Sequence, residues 1–160
     1  MELQPIRGLT SLYQGSPIPR EIWAPIVNEE TRTGFRPVTI LTDNTDDYAF
    51  VTLQIPMDFQ QVVAADWVVI PAGTGNMVWS VDTNFGKICS DQQQDAHTDG
   101  IGPTTTAVTD DELECLSFND ALTGLDIGDN VGVRLFRDGD NGDDTVGANV
   151  DAVGVRLRYV

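Results

Sequence analysis

Two segments near the end of the chain, Val131-Gly-Val-Arg-Leu135 and Val153-Gly-Val-Arg-Leu-Arg-Tyr159, carry the clearest structural pattern in the sequence. Apolar side chains alternate with glycine or arginine in both, and because successive strand residues point to opposite sides, the apolar ones share a face. The stretch between them, 137–145, is rich in Gly, Asn and Asp, which favour tight turns. The pattern predicts a long β-hairpin over residues 129–160.

The other face of this predicted hairpin would be basic. Arg134, Arg156 and Arg158 alternate with the apolar set, in a chain whose formal net charge is -16. One interpretation is a solvated face whose arginines pair with nearby carboxylates, and such exposed pairs contribute little stability. The other is a cationic surface that contacts an acidic neighbouring protomer or partner, because guanidinium groups bind carboxylates in a bidentate way.

Short runs of β-forming residues separated by turn signals continue through the middle of the chain. A second hairpin is predicted from 66–71 and 76–83 around the turn 72–75, with Trp67 and the side chains of Met77, Trp79 and Val81 in the core. The stretch 57–66 could form a short helical turn, and 90–100 is expected to be an exposed loop. The remaining strands are predicted at 37–42, 48–55, 104–109 and 113–118.

About eight strands without an amphipathic helix predict an all-β fold, a two-sheet jelly-roll sandwich over residues 37–160. An immunoglobulin-like sandwich is the alternative, although no Trp lies between Cys89 and Cys115. The two cysteines match no zinc spacing and are expected to be small buried residues, with a disulfide possible if two strands bring them together.

Residues 1–36 differ from the rest of the chain and are predicted to form an extended N-terminal arm. The segment has four prolines and four arginines but no sustained period, and it has more apolar residues than a free linker. The arm either folds back on its own domain or docks on another subunit. The candidate partner-binding residues in it are Leu3, Ile6, Arg7, Leu9, Tyr13, Arg20, Trp23 and Ile26.

The composition limits the partners and the chemistry. With 25 acidic residues against 9 basic ones, the chain should repel nucleic-acid phosphates, and it has no apolar run of membrane-spanning length. The start of the sequence shows no secretory signal, so the chain is expected either to be made in a cytoplasm or to be already mature. His97, flanked by acidic residues in a polar stretch, does not indicate a catalytic triad. We therefore predict a protein that is not an enzyme and needs no cofactor.

The acidic stretch after Arg137 offers a weak candidate for calcium, because hard cations prefer oxygen ligands. The spacing is not that of an EF-hand loop, and a solvated turn is the simpler interpretation. The candidate ligands are Asp138, Asp140, Asp143 and Asp144.

The segments 125–140, 144–147 and 153–159 together resemble the C-terminal end of small jelly-roll structural proteins of tailed bacteriophages and related viruses, and 67–79 is similar to their middle hairpin. The resemblance implies a virion component such as a capsid decoration, head-fibre or vertex protein. Proteins of this kind are often trimers that are anchored by an N-terminal segment.

The sequence therefore predicts a non-enzymatic virion protein on the capsid surface, assembled in the host cytoplasm. It would form a homotrimer through the jelly roll and bind the major capsid protein or another virion protein through residues 1–36. The first alternative is a carbohydrate-binding or host-recognition module of a tail, baseplate or fibre, although Trp67 and Trp79 lie within apolar patterns rather than on a surface. The second alternative, a hydrolase based on paired Asp residues, has the least support.

Overall fold

The structure, a computed structural model, describes residues 18–27, 31–32, 36–90, 93 and 95–160. These residues contain eleven β-strands and one short 3₁₀ helix. Within these ranges, no helix has the length and apolar character needed to cross a membrane. The 3₁₀ helix is Asn119–Leu122. The strands are β1 (Arg20–Pro25), β2 (Thr31–Arg32), β3 (Arg36–Pro37), β4 (Thr39–Leu41), β5 (Asp46–Gln54), β6 (Val62–Pro71), β7 (Gly75–Lys87), β8 (His97–Val108), β9 (Glu114–Ser117), β10 (Asp129–Asp138) and β11 (Val150–Tyr159).

Two antiparallel sheets pack face to face. The first, here called the β11 sheet, has the order β1-β11-β6-β9, and β4 also pairs with β11. The second, the β10 sheet, has the order β5-β10-β7-β8. The short strands β2 and β3 pair with each other.

The strand order is that of a jelly roll. Between β4 and β11, every connection passes from one sheet to the other except the hairpin that joins β7 to β8. Strands that are distant in sequence thus become neighbours, as in a pair of interlocked Greek keys. The predicted all-β jelly-roll sandwich is confirmed.

The core forms because the long strands direct apolar side chains between the two sheets. In β10, Val131, Val133 and Leu135 point between the sheets, and in β11 Val155 and Leu157 do so. The inward side chains of both sheets form one continuous cluster. The sequence correctly placed Trp67, Met77, Trp79 and Val81 in this core.

Both predicted hairpins are wrong. β10 and β11 lie in different sheets, so the acidic stretch between them crosses the sandwich instead of turning back along one sheet. The segments 66–71 and 76–83 likewise belong to β6 and β7, which are in opposite sheets. Period-2 patterning identifies a strand and its buried face, but it does not identify the strand with which it pairs.

β7 and β8 form a hairpin, and its second strand takes the last four residues, 97–100, of the stretch 90–100 that was expected to be an exposed loop. β8 begins at His97 and pairs with β7 from Phe85↔His97 to Gly75↔Val108. Its side chains are mostly exposed, so β8 lacks the apolar alternation that marks a half-buried strand. The stretch 57–66, predicted as a possible helical turn, enters strand β6 at Val62.

The sandwich begins earlier in the chain than the predicted boundary at residue 37. β1 pairs with β11 from Arg20↔Tyr159 to Pro25↔Gly154, and the Ile26 amide donates a hydrogen bond to the Val153 carbonyl at 3.0 Å. This part of the predicted arm therefore lies on its own domain.

The expectation of buried cysteines is wrong. Cys89 and Cys115 are both exposed and free. Cys115 is on the outward side of β9, because its neighbour Leu116 fills the inward position.

Candidate functional site

The predicted docking residues of the arm fall into two groups. Leu3, Ile6, Arg7, Leu9 and Tyr13 lie outside the residues that the structure describes. Arg20, Trp23 and Ile26 are in or next to β1, where the Arg20 guanidinium pairs with Asp58 and Ile26 is buried in the core. Of these three, Trp23 is the one with a large exposed apolar surface, at 44%.

The predicted cationic surface does not form. Arg134 extends from the outer face of the β10 sheet, whereas Arg156 and Arg158 belong to the β11 sheet on the opposite side of the sandwich. Arg134 pairs with Asp82, and Arg156 donates to Asp66 at 2.8 Å. The hydrogen bond to Asp66 raises the pKa of Arg156 above its usual value. Arg134 and Arg156 thus pair with nearby carboxylates, which is the other interpretation of the sequence.

The acidic crossover is organised by a buried arginine. Arg137 is fully buried at the end of β10, and its Nε and Nη2 donate to the two carboxylate oxygens of Asp144 at 3.1 and 2.9 Å. Its Nη1 donates to the carbonyl oxygens of Leu41 and Ala148. A buried guanidinium is tolerated when its donors are matched in this way. Arg137 therefore ties the β10 sheet to β4 of the β11 sheet.

The four candidate calcium ligands are separated by this arrangement. Asp144 is bound to Arg137, and Asp143 is exposed at the surface. Asp138 and Asp140 instead lie beside Asp46 of β5, with carboxylate oxygens within 4.8 Å of one another. Desolvation, together with the charges of Asp140 and Asp138, raises the pKa of Asp46 above its usual value. The sequence did not indicate Asp46, because it did not indicate that β5 pairs with β10.

One candidate surface is an apolar groove on the outer face of the β11 sheet. It has a volume of about 580 Å³, and Trp23 of β1 and Leu113, just before β9, line it. Leu113 is 55% exposed. Val68 and Val153 form the floor, and Cys115 and Arg156 line the groove beside them. We call this surface the apolar groove.

The floor of the apolar groove belongs to a second, smaller core. Val38, Val68, Ile70 and Val153 pack together on the outer side of the β11 sheet and are all buried. The chain just before β4 covers this side of the sheet with Val38. The apolar groove is the part of this apolar face that the described residues leave accessible.

The other candidate surface is a trough on the outer face of the β10 sheet. Its volume is about 640 Å³, and it is lined by one triplet from each of the four strands: 50–52, 132–134, 82–84 and 98–100. The register places two rows of outward residues across these strands. One row is Phe50, Arg134, Asp82 and Gly100, and the other is Thr52, Gly132, Asn84 and Thr98.

Glycine residues make room for the polar side chains of the trough. A Cβ atom on Gly132 would lie 2.5 Å from Asn84 Oδ1, and one on Gly100 would lie 3.0 Å from the Val81 carbonyl oxygen. Side chains at these positions would fill the space that Asn84 and Asp82 now occupy. We call this surface the glycine trough.

The walls of the glycine trough combine an aromatic ring with fixed polar groups. Phe50 is 65% exposed and stacks on Tyr48, with ring centroids 6.3 Å apart. The Arg134 guanidinium lies over the Tyr48 ring at 5.3 Å and donates from Nε to Asp82 Oδ2 at 3.1 Å. At the rim, hydrogen bonds from the backbone amides of Gly100 and Thr123 lower the pKa of Asp99 below its usual value.

Sequence reasoning missed the glycine trough. In β5, Tyr48, Phe50 and Thr52 alternate with the buried Ala49, Val51 and Leu53, so aromatic residues are on the solvent side and aliphatic residues are on the core side. The sequence shows that alternation, but it does not show which of the two apolar faces of β5 is buried.

The fold and these surfaces define the class: an acidic jelly-roll β-sandwich with an apolar groove on one outer face and a polar, aromatic trough on the other. Comparison with known proteins does not narrow the class further. No family model, curated protein or solved structure matches the chain.

Proposed function

We propose that this chain is a non-enzymatic structural protein of a virion, a capsid decoration or vertex protein. Its jelly roll forms a homotrimer, and residues 1–17 attach the trimer to the major capsid protein or another virion protein. The jelly-roll strand order supports this proposal, because the architecture recurs in viral capsid proteins. The resemblance of residues 125–159 to small phage structural proteins supports it as well.

The apolar groove is the observation that carries the proposal. Trp23 and Leu113 expose apolar surface beside the buried valines of the floor, and contiguous patches of this kind mark interaction sites. A few residues near the centre of an interface, with tryptophan prominent among them, supply most of its binding energy. The apolar groove is therefore the surface through which the subunits associate.

Charge supports an apolar interface. Each subunit has a formal net charge of -16, so association must overcome mutual repulsion. Burial of apolar surface provides a driving force that does not depend on charge. Salt screens the repulsion, so the trimer should become more stable as ionic strength rises.

The leading segment has the separate role of attachment. Residues 1–17 include Leu3, Ile6, Leu9 and Tyr13, whose burial against another protein would stabilise docking, and Arg7, which would add specificity. The sandwich begins at Arg20, so removal of residues 1–17 leaves every described strand in place.

The direct test is mass spectrometry of purified virus particles from the source that encodes this chain. We expect the protein in the particles at a copy number that is a multiple of three. Its absence from particles that contain the major capsid protein would refute the proposal.

Two variants separate the two roles. Leu113→Asp places a charge in the apolar groove and should convert the trimer to a monomer in analytical ultracentrifugation. Met57→Asp, at an exposed residue outside the groove, is the matched control and should remain trimeric. Deletion of residues 1–17 should preserve the trimer and abolish binding to particles. A trimer that survives Leu113→Asp would contradict the assignment of the interface.

A further inference from the structure

The glycine trough lies on the opposite side of the sandwich from the apolar groove, so association through the groove would leave it accessible. It crosses all four strands of the β10 sheet, which at the usual strand spacing is about 14 Å. Its volume of about 640 Å³ is in the range of small-molecule sites. The glycine trough therefore has the dimensions of a binding site for an oligomer of a few units.

The chemistry of its walls selects the ligand. Phe50 offers an exposed aromatic face, and the adjacent row offers the side-chain amide of Asn84 and the hydroxyls of Thr52 and Thr98. An aromatic face beside several fixed donors and acceptors suits a ligand that has both apolar C–H faces and hydroxyl groups. Pyranose sugars have both.

Arg134 and Asp82 are held in place before any ligand arrives. Two nitrogen atoms of Arg134 donate to Asp82 Oδ2, and the other carboxylate oxygen, Oδ1, is directed toward Gly100, where a Cβ atom would lie 3.1 Å away. The ring of Tyr48 supports the same guanidinium. Fixed groups of this kind lower the entropy cost of binding.

The charge balance favours a neutral ligand. Arg134 and Asp82 offset each other, and the net charge of the chain repels polyanions. An extended peptide is a poorer match, because peptides that join a sheet pair with its edge, whereas the trough lies across its face.

We propose that the glycine trough binds a neutral oligosaccharide. Phe50 stacks on a pyranose ring, and Asp82, Asn84 and Arg134 form hydrogen bonds with its hydroxyls. Gly132 and Gly100 make room for the side chains of Asn84 and Asp82, which line the trough. A protein that attaches to a particle through residues 1–17 would then present this site as a contact for surface glycans.

The test begins with the full chain on an array of neutral oligosaccharides of glucose, galactose, mannose, rhamnose and N-acetylglucosamine, with sialylated and sulfated glycans beside them. Titration calorimetry with the best neutral oligosaccharide then compares variants. Phe50→Ala should weaken binding at least about tenfold, and Asp82→Asn should weaken it severalfold. Met57→Asp, at an exposed residue outside both the glycine trough and the apolar groove, is the control and should bind with unchanged affinity. Circular dichroism establishes that each variant is folded.

Three results would overturn the proposal. The first is an array without any bound neutral glycan, and the second is binding confined to acidic glycans. The third is a Phe50→Ala variant that binds as the wild type does. A change in oligomeric mass caused by Phe50→Ala, without glycan binding, would instead show that the trough contacts another copy of the chain. The three glycan-binding results do not bear on the apolar groove, which the ultracentrifugation of Leu113→Asp tests separately.

Discussion

The two outer faces of the sandwich differ in what covers them. On the β11 sheet, the outward side chains of Val68, Ile70 and Val153 are buried and pack together with Val38. Val38 belongs to the chain just before β4. On the β10 sheet, the outward side chains include Phe50, Asp82 and Asn84, and all three are exposed. One face is an extension of the core, and the other faces solvent.

This difference teaches how a two-sheet fold can separate assembly from recognition. An apolar face that its own chain covers incompletely gains stability when another protein completes the cover. The outer face of the β10 sheet holds ordered polar groups beside glycine residues. It needs no such cover, and it has space for a ligand. The following predictions test this contrast, beginning with the largest effect.

The first prediction compares two arginines on β10, one inside the sandwich and one outside. Arg137→Met removes the buried tie between the sheets and leaves Asp144 buried without its partner, which should cost about 3–5 kcal/mol of unfolding free energy. Arg134→Met breaks an exposed pair and should cost under about 1 kcal/mol. Urea denaturation measures both. Equal losses would show that Arg137 does not hold the sheets together.

The second prediction compares the outer faces directly. Ile70→Ala creates a cavity in the small core outside the β11 sheet and should destabilise the fold by about 2–4 kcal/mol. Phe50→Ala removes a larger side chain from the other face, yet it should change stability by no more than about 0.5 kcal/mol because the ring is exposed. Thermal and urea unfolding are the measurements. A large loss in Phe50→Ala would mean that the β10 sheet face is also covered.

The third prediction compares the inner faces through their tryptophans. The Trp79 indole donates to the Thr106 hydroxyl at 2.9 Å, whereas the buried Trp67 indole nitrogen has no hydrogen-bond partner among the described residues. Replacement by phenylalanine removes similar volume at both sites but breaks a hydrogen bond only at Trp79. We expect Trp79→Phe to be more destabilising than Trp67→Phe by about 1 kcal/mol in urea unfolding. The reverse order would contradict this account of the core.

The smallest predicted effect depends on pH and concerns the rim of the glycine trough. Backbone amides of Gly100 and Thr123 lower the pKa of Asp99 below its usual value of 3.8. A lowered pKa in the folded state stabilises the fold above pH 3.8, and this contribution is lost as the pH falls through the folded-state pKa. Asp99→Asn should therefore be slightly less stable than the wild type at pH 7, and the difference should shrink as the pH falls below 3.8. Melting temperatures across this range measure it, and a pH-independent difference would contradict it.

Much of the fold could be predicted from the sequence, because it depends on side-chain alternation. Val131, Val133 and Leu135 recur at every second position, as do Met77, Trp79 and Val81, and the structure buries both predicted faces. Strand pairing could not be predicted in the same way. The turn-forming residues between β10 and β11 suit a hairpin, but Arg137 and Asp144 fix this stretch as a crossover, and the sequence does not show that Arg137 is buried.

The apolar groove and the glycine trough were harder to predict from the sequence. Trp23 was identified as a docking residue, but Leu113 lines the same groove only because of the sheet order β1-β11-β6-β9. The glycine trough needs a register across four strands that are far apart in sequence. Such non-local arrangements leave no local pattern in the chain.

The position of β11 has a consequence for how the protein is made. β11, the last described strand along the chain, is not at an edge of its sheet. It lies between β1 and β6, which both precede it in the sequence. During synthesis, β1 and β6 emerge from the ribosome without the strand that joins them, and the core stays open until β11 follows. The nascent chain should therefore fold late and all at once, and a protein that lacks β11 should be a substrate for chaperones and proteases rather than a smaller stable domain.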